Sequence, residues 1–273
     1  MAKKALNEMS FLDHLEELRW LLVRSSAAIV IMGIVSYFFA DYIFSDLIFG
    51  PTDPSFITYR FFCEASHYLG FADSICITEL NFIIQNTQME GQVNIFVWVC
   101  ITAGFILAFP YILWELWKFI SPALYEKERK NAKLFIFVAS ILFFFGVLFG
   151  YFVIVPMSVN FLATFSISSV VKNQFSIDSY VSMVKTAVIA CGLYFELPII
   201  IYFLTKLGLV GPNFLRKYRK YAVVIILIIA AIVTPPDVVS QITVAIPMLI
   251  IYEGCIWISV FVEKNKKLDE QAS

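Results

Sequence analysis

Six apolar stretches, each running from one charged boundary to the next, constrain this 273-residue chain more than any other feature. No charged residue lies between Arg24 and Asp41, which places a first spanning helix at about residues 20–40. The second falls at about 93–117, bent near Pro110, and the third at about 134–156, opening after Lys133 and closing at Pro156. The fourth, at about 183–204, is interrupted by Glu196; the fifth, at about 221–233, closes on Thr234-Pro235-Pro236; the sixth, at about 239–262, includes Glu253. An α-helix rises about 1.5 Å per residue, so about 20 residues cross roughly 30 Å of hydrocarbon, and all but the fifth stretch meet that length. Composition agrees, with 60% hydrophobic and 15% charged residues and a mean hydropathy of +0.82, where a soluble domain carries about a quarter charged residues. The predicted fold class is all-α: one polytopic membrane domain over residues 1–273 with six transmembrane helices and the bilayer as its solvent.

The fifth stretch is short. Its 13 residues reach only about 20 Å as a helix, and the sixth begins with the polar Ser240, Gln241 and Thr243. Local bilayer thinning, snorkelling of Lys217, Arg219 and Lys220, or partner packing would match such a pair to the membrane; extension of the helix into the headgroups is the plain alternative. Orientation follows from the basic residues. Seventeen of the 20 Lys and Arg flank the spans on one side, and only Arg60, Lys172 and Lys185 fall on the other. The excess of positive charge marks the cytoplasmic face, so both termini are expected to be cytoplasmic in the inner membrane. The net charge of −1 gives no indication of a nucleic-acid partner. The mixed-charge lead before the first span lacks a cleavage pattern, and it is expected to remain in the mature chain.

The connection at 41–92 is the one long outer loop. It carries Arg60 against seven acidic residues, and apolar pieces such as Leu80-Asn81-Phe82-Ile83-Ile84 predict that it folds back as a cap. Catalytic chemistry is sparse. The two histidines, His14 and His67, lie outside the spans, and no His, Cys and carboxylate cluster has metal-ligand spacing. Neither a serine protease site nor a phosphate-binding glycine loop is present, so no enzyme, metal or cofactor is expected. Cys100, Cys191 and Cys255 fall in spans as small packing residues. Cys63 and Cys76 share the outer loop, where an oxidising compartment would pair them; the alternatives are a disulfide closing a short loop and two free thiols.

Three segments resemble the TatC family of twin-arginine protein translocases: Ser10-Phe11-Leu12-Asp13-His14-Leu15-Glu16-Glu17-Leu18-Arg19 before the first span, Phe119-Ile120-Ser121-Pro122-Ala123-Leu124-Tyr125-Glu126-Lys127-Glu128-Arg129 after the second, and Thr234-Pro235-Pro236-Asp237-Val238-Val239-Ser240-Gln241 between the fifth and sixth. A weaker match is Phe195-Glu196-Leu197-Pro198. In order and in topological place they cover nearly the whole chain. The resemblance implies a cupped arrangement of six helices that receives signal peptides bearing paired arginines. Glu17 and Glu128 would each accept one guanidinium in bidentate geometry that lysine cannot copy. Ser121 and Pro122 form a good helix start that sets Leu124 and Glu128 on one face. Phe119 would pack beside the peptide or stack on a guanidinium, and Arg19 would orient the acidic cluster or reach the headgroups. Against this stands the plain reading of Glu126 and Glu128 among Lys127, Arg129 and Lys130 as a solvated charged face.

Glu196 is predicted near mid-bilayer, where an ionisable group is expensive and by default functional. The resemblance implies that Glu196, Thr234, Asp237 and Gln241 meet polar groups of single-span TatA/TatB-type partner subunits, that further copies of the same subunit join the complex, and that the proton gradient drives transport. Pro51 falls where the family has a proline in its outer loop; ordinary turn chemistry explains it equally. The rivals are a secondary transporter using Glu196 as its proton site and an assembly scaffold without peptide recognition. This chain departs from the family pattern before span two, where Gln88-Met89-Glu90-Gly91-Gln92-Val93 replaces an aromatic and a basic residue.

Overall fold

The computed structural model describes residues 11–68, 76, 80, 82–121, 132–168, 172–234 and 238–272. Helices claim the apolar stretches: α1 (Phe11–Phe38), α2 (Ile57–Tyr68), α3 (Gly91–Ile120), α4 (Ala132–Phe149), α5 (Val155–Thr164), α6 (Ile177–Tyr194), α7 (Leu197–Lys206), α8 (Pro212–Lys217), α9 (Arg219–Val233) and α10 (Val238–Ala272). Among the described residues, five helical runs are long and apolar enough to cross a membrane: His14–Phe38, Gly91–Ile120, Lys133–Thr164, Ile177–Lys206 and Ser240–Asn265. The expected fifth span, α9, has 15 residues, about 22 Å at 1.5 Å per residue. It falls short of that standard. The chain forms two compact units, Met1–Asp41 with Phe96–Leu142, and Tyr42–Ile95 with Phe143–Ser273.

Prolines shape the helices, and they do so differently from the sequence expectation. The third span does not stop at Pro156 but continues to Thr164, because a π-helical turn, Gly150–Ile154, takes up the register change and Pro156 sits in the first turn of α5. Pro156 has no N–H to give to the carbonyl of Phe152, four residues back, and that carbonyl accepts the Thr58 hydroxyl of α2 at 2.7 Å. In the fourth span, Pro198 leaves the Tyr194 carbonyl without its donor, and the helix breaks at Phe195–Glu196.

The first unit is held by close approach of α1 and α3. A Cβ on Gly104 would lie 2.6 Å from the Gly33 nitrogen and 2.6 Å from the Ile29 carbonyl oxygen, so the two backbones touch. In a bilayer, where lipid competes for apolar surface, helices associate through such small-residue contacts. The second unit repeats the device. Gly146 meets Cys191 and Gly192, and Gly150 meets Ala187, around the fully buried Phe143 and Cys191. Cys100, Cys191 and Cys255 are buried free thiols. Polar bonds tie the later helices: Tyr194 donates to the Met248 carbonyl at 2.9 Å, and Thr205 and Ser259 share a buried bond at 3.0 Å. Arg219 and Glu253 pair between α9 and α10.

The described chain is mostly helical, as expected of the all-α class, but the long connection also carries a short strand. Ile83–Gln85 (β1) pairs in parallel with Gln174–Ser176 (β2), aligning Ile83 with Gln174. The β-branched Ile83 and Ile84 suit a strand, and Phe82 packs on Phe175 with ring centroids 5.2 Å apart. The Asn173 amide donates to the Leu162, Ala163 and Phe165 carbonyls, closing the carboxyl end of α5. Cys63 of α2 and Cys76 are joined by a disulfide across 13 residues, with Cα atoms 4.5 Å apart. His67, one turn after Cys63, brings its Nε2 to 3.6 Å from the Cys76 sulfur. The three ligand-type atoms lie within 4.8 Å of one another, a convergence that sequence spacing did not reveal because Cys76 arrives from a separate segment. With the sulfurs bonded to each other neither is a thiolate, the form that ligates metal.

Pro51 is buried in a short turn, and its carbonyl lies 2.9 Å from the Tyr59 hydroxyl, which also lies 3.1 Å from the Pro156 carbonyl. Burial pushes the Tyr59 phenol well above its ordinary range, so it remains a donor throughout the accessible pH range. Tyr59→Phe removes the one hydroxyl proton that these two buried carbonyls share. The expected loss is about 1–2 kcal/mol, read as a lower thermal midpoint and faster proteolysis of the 42–68 segment. An unchanged midpoint would mean that water replaces the hydroxyl.

Candidate functional site

In the first unit the amino-terminal turns of α1 and the last turns of α3 enclose a cleft of about 420 Å³, lined by Glu16, Glu17, Trp20, Leu21, Arg24, Glu115, Lys118 and Phe119. α3 ends at Ile120, and Ser121, which precedes a proline in the sequence, passes into a 3-10 turn. The lining carries three carboxylates against two cationic side chains, an acid excess set against aromatic walls. Glu17 lines this cleft. Phe119 does as well, but its ring is taken by His14 at 4.3 Å, with 23° between the planes, rather than lying open for a guanidinium. Arg19 does not line the cleft; its guanidinium lies 5.5 Å from the centre of the Trp20 ring. Leu124 and Glu128 lie outside the described residues.

Glu115 is the cleft residue that sequence reasoning missed. Its side chain is 3% exposed, and its two oxygens are divided between Lys118 Nζ at 2.7 Å and Arg24 Nη1 at 3.3 Å. Its only mark in the sequence is an acid at the edge of an apolar span, one turn before Lys118. Arg24 also lies 5.9 Å from the Trp20 ring centre, and Lys118 lies 5.7 Å from that of Trp114.

The second unit holds the other expected residues. Glu196 sits at the break between α6 and α7, 6% exposed, with no hydrogen-bond partner for Oε1 among the described residues. Thr234 is buried and donates to the Ala230 carbonyl at 2.9 Å, and the Gln241 amide donates to the Leu227 carbonyl at 3.1 Å. Both side chains therefore bond carbonyls of α9, and that of Ala230 also accepts the Thr234 N–H at 2.9 Å. Asp237 lies outside the described residues. A second cavity, of about 540 Å³, is lined by residues including Phe82, Phe175, Asp178, Ser182 and Thr234.

Comparison with known proteins bears on both sites. The model of the Sec-independent protein translocase protein family, TatC, matches residues 13–247. The Sec-independent protein translocase protein TatC of Blattabacterium from Periplaneta americana is 45% identical over 97% of this chain and 100% of its own length. That of Aquifex aeolicus is 32% identical over 97% and 100%. A crystal structure of the twin arginine translocase receptor TatC superposes with a TM-score of 0.71 at 31% identity, covering 92% of this chain and 99% of that one. With its apolar helices and this likeness in sequence and fold, the chain belongs to the TatC family, membrane components of the Sec-independent protein translocase rather than enzymes.

Proposed function

We propose that this chain is the receptor subunit that takes twin-arginine signal peptides of folded precursors at the cytoplasmic face. The observation that carries the reading is the acidic, aromatic-walled cleft between α1 and α3, in a chain of a translocase family. Glu17 and Glu128 receive the paired guanidinium groups, Phe119 and Leu124 pack along the apolar part of the peptide, and Arg19 orients the acids. Binding would require His14 to yield the Phe119 face. Both termini lie in the cytoplasm, and α9 serves as a sixth, short span, anchored by Lys217, Arg219 and Lys220. Glu196, Thr234, Asp237 and Gln241 meet single-span TatA/TatB-type subunits, further copies of this subunit complete the complex, and the proton gradient drives translocation.

The test uses the full chain in nanodiscs with a synthetic signal peptide. The Arg-Arg form is expected to bind at least about tenfold tighter than the Lys-Lys form, the difference of a bidentate charge-assisted pair. Glu17→Ala and Glu128→Ala should each weaken Arg-Arg binding by about ten- to a hundredfold, the usual worth of a hydrogen bond to a charged group. Equal binding of both peptides overturns the receptor reading. It favours instead a proton-coupled transporter, a reading also fitted by Glu196, whose Oε1 has no hydrogen-bond partner among the described residues. A cysteine at position 128 labelled only from the outside would exclude the cytoplasmic face.

A further inference from the structure

Glu115 is almost wholly buried, while the side chains of Arg24 and Lys118 that pair with it are 52% and 51% exposed. The two cations therefore cover an acid in the cleft wall. They are not held alike. Lys118 reaches Oε1 from one turn along the same helix at 2.7 Å. Arg24 reaches Oε2 from α1 through one nitrogen at 3.3 Å, a single long contact where a guanidinium can make two parallel ones. While making that contact it also lies 5.9 Å from the Trp20 ring centre, which it shares with Arg19.

We propose that Glu115 is a third carboxylate for the paired arginines of the signal peptide, and that Arg24 is its resident occupant, displaced when the peptide enters. This rests on the cleft being the signal-peptide site. A carboxylate offers about four lone-pair directions over two oxygens, so an incoming guanidinium takes Oε2 from Arg24 and shares Oε1 with Lys118. The exchange leaves no buried charge unpaired at any stage, because Lys118 remains. That matters, since a stripped buried acid is strongly unfavourable. Arg24, already half-exposed beside Trp20, turns to solvent. A peptide lysine, with one point charge, cannot match the two-point contact and displaces Arg24 poorly. The resident pair thus lowers affinity for every peptide and raises the preference for arginine.

The experiment measures binding of Arg-Arg and Lys-Lys signal peptides to the full chain in nanodiscs. Arg24→Gln removes the occupant and is expected to tighten Arg-Arg binding about threefold to fivefold, the range of a partly exposed ion pair. Glu115→Gln should weaken it about tenfold, and the double variant should bind no tighter than Glu115→Gln alone. A merely architectural role for the pair would move both single variants the same way. Arg24→Gln leaves the Glu115–Lys118 pair in place, so it still decides the matter if Glu115→Gln is not recovered folded. Absence of any Arg-Arg preference in the wild type sinks the receptor reading, and this proposal with it. A wild type that prefers Arg-Arg, with Arg24→Gln binding more weakly, leaves the receptor standing and overturns the displacement.

Discussion

Gly104→Val is expected to lose most of the folded protein: at least a tenfold drop in monodisperse material recovered in detergent, and loss of the proposed signal-peptide binding in what remains. The added Cβ would sit 2.6 Å from the Gly33 nitrogen and the Ile29 oxygen, and 2.8 Å from the Gly33 Cα. All three are backbone atoms. No rotamer relieves them, so α1 and α3 must separate by about 1 Å to reach ordinary contact near 3.5–4 Å. Separation forfeits the dispersion on which helix association in lipid depends, at about 3 kcal/mol by analogy with overpacked cores. The cleft stands on the same two helices, so binding goes with the fold. Two other glycines calibrate the result. Gly33→Ala meets the Cys100 carbonyl oxygen at 3.3 Å, and Gly254→Ala meets nothing within 4 Å. The first should cost about 1 kcal/mol. The second should be neutral or stabilising by about 0.5–1 kcal/mol, since alanine suits a helix better than glycine. Three equal midpoints would show that the close approach of α1 and α3 contributes nothing.

The same contrast explains what the sequence could and could not disclose. Charge boundaries locate all the long helices, because the cost of charge in hydrocarbon is one-dimensional information. They do not locate helix ends. Pro156 reads as a stop, yet the Thr58 hydroxyl takes the carbonyl that the proline leaves open, and the helix runs on to Thr164. That compensation comes from a residue 94 positions away, and no local pattern carries it. The strand pair is hidden for the same reason: β1 and β2 are three residues each, too short to show a period. In the cleft, Glu17 and Phe119 were legible through their motifs. Glu115 was not, because a lone acid near a lysine reads as ordinary surface until Arg24 is brought to it from 91 residues away. Arg24 itself reads as a membrane-edge cation, and its role depends on which face of α1 meets α3.

Glu196→Leu is expected to separate stability from export. The carboxyl is 6% exposed and Oε1 finds no partner among the described residues, so burying it is costly in a lipid-embedded fold. Leucine removes that cost at similar volume. The thermal midpoint of the purified chain should rise, by the equivalent of about 1–3 kcal/mol. A residue that destabilises its own fold is retained for something outside that fold. If that is a polar side chain on a partner helix, export of a folded reporter with a twin-arginine signal falls at least about tenfold in Glu196→Leu, and co-purification of the single-span subunit falls with it. Glu196→Gln separates the two remaining explanations. An amide keeps hydrogen bonding but cannot release a proton, so a partner contact survives with most of its export activity, whereas a proton relay is as dead as the leucine variant. A leucine variant that exports normally removes Glu196 from the mechanism. One that melts lower than the wild type means that Oε1 does have a partner, and that the acid is then part of the second unit's own packing.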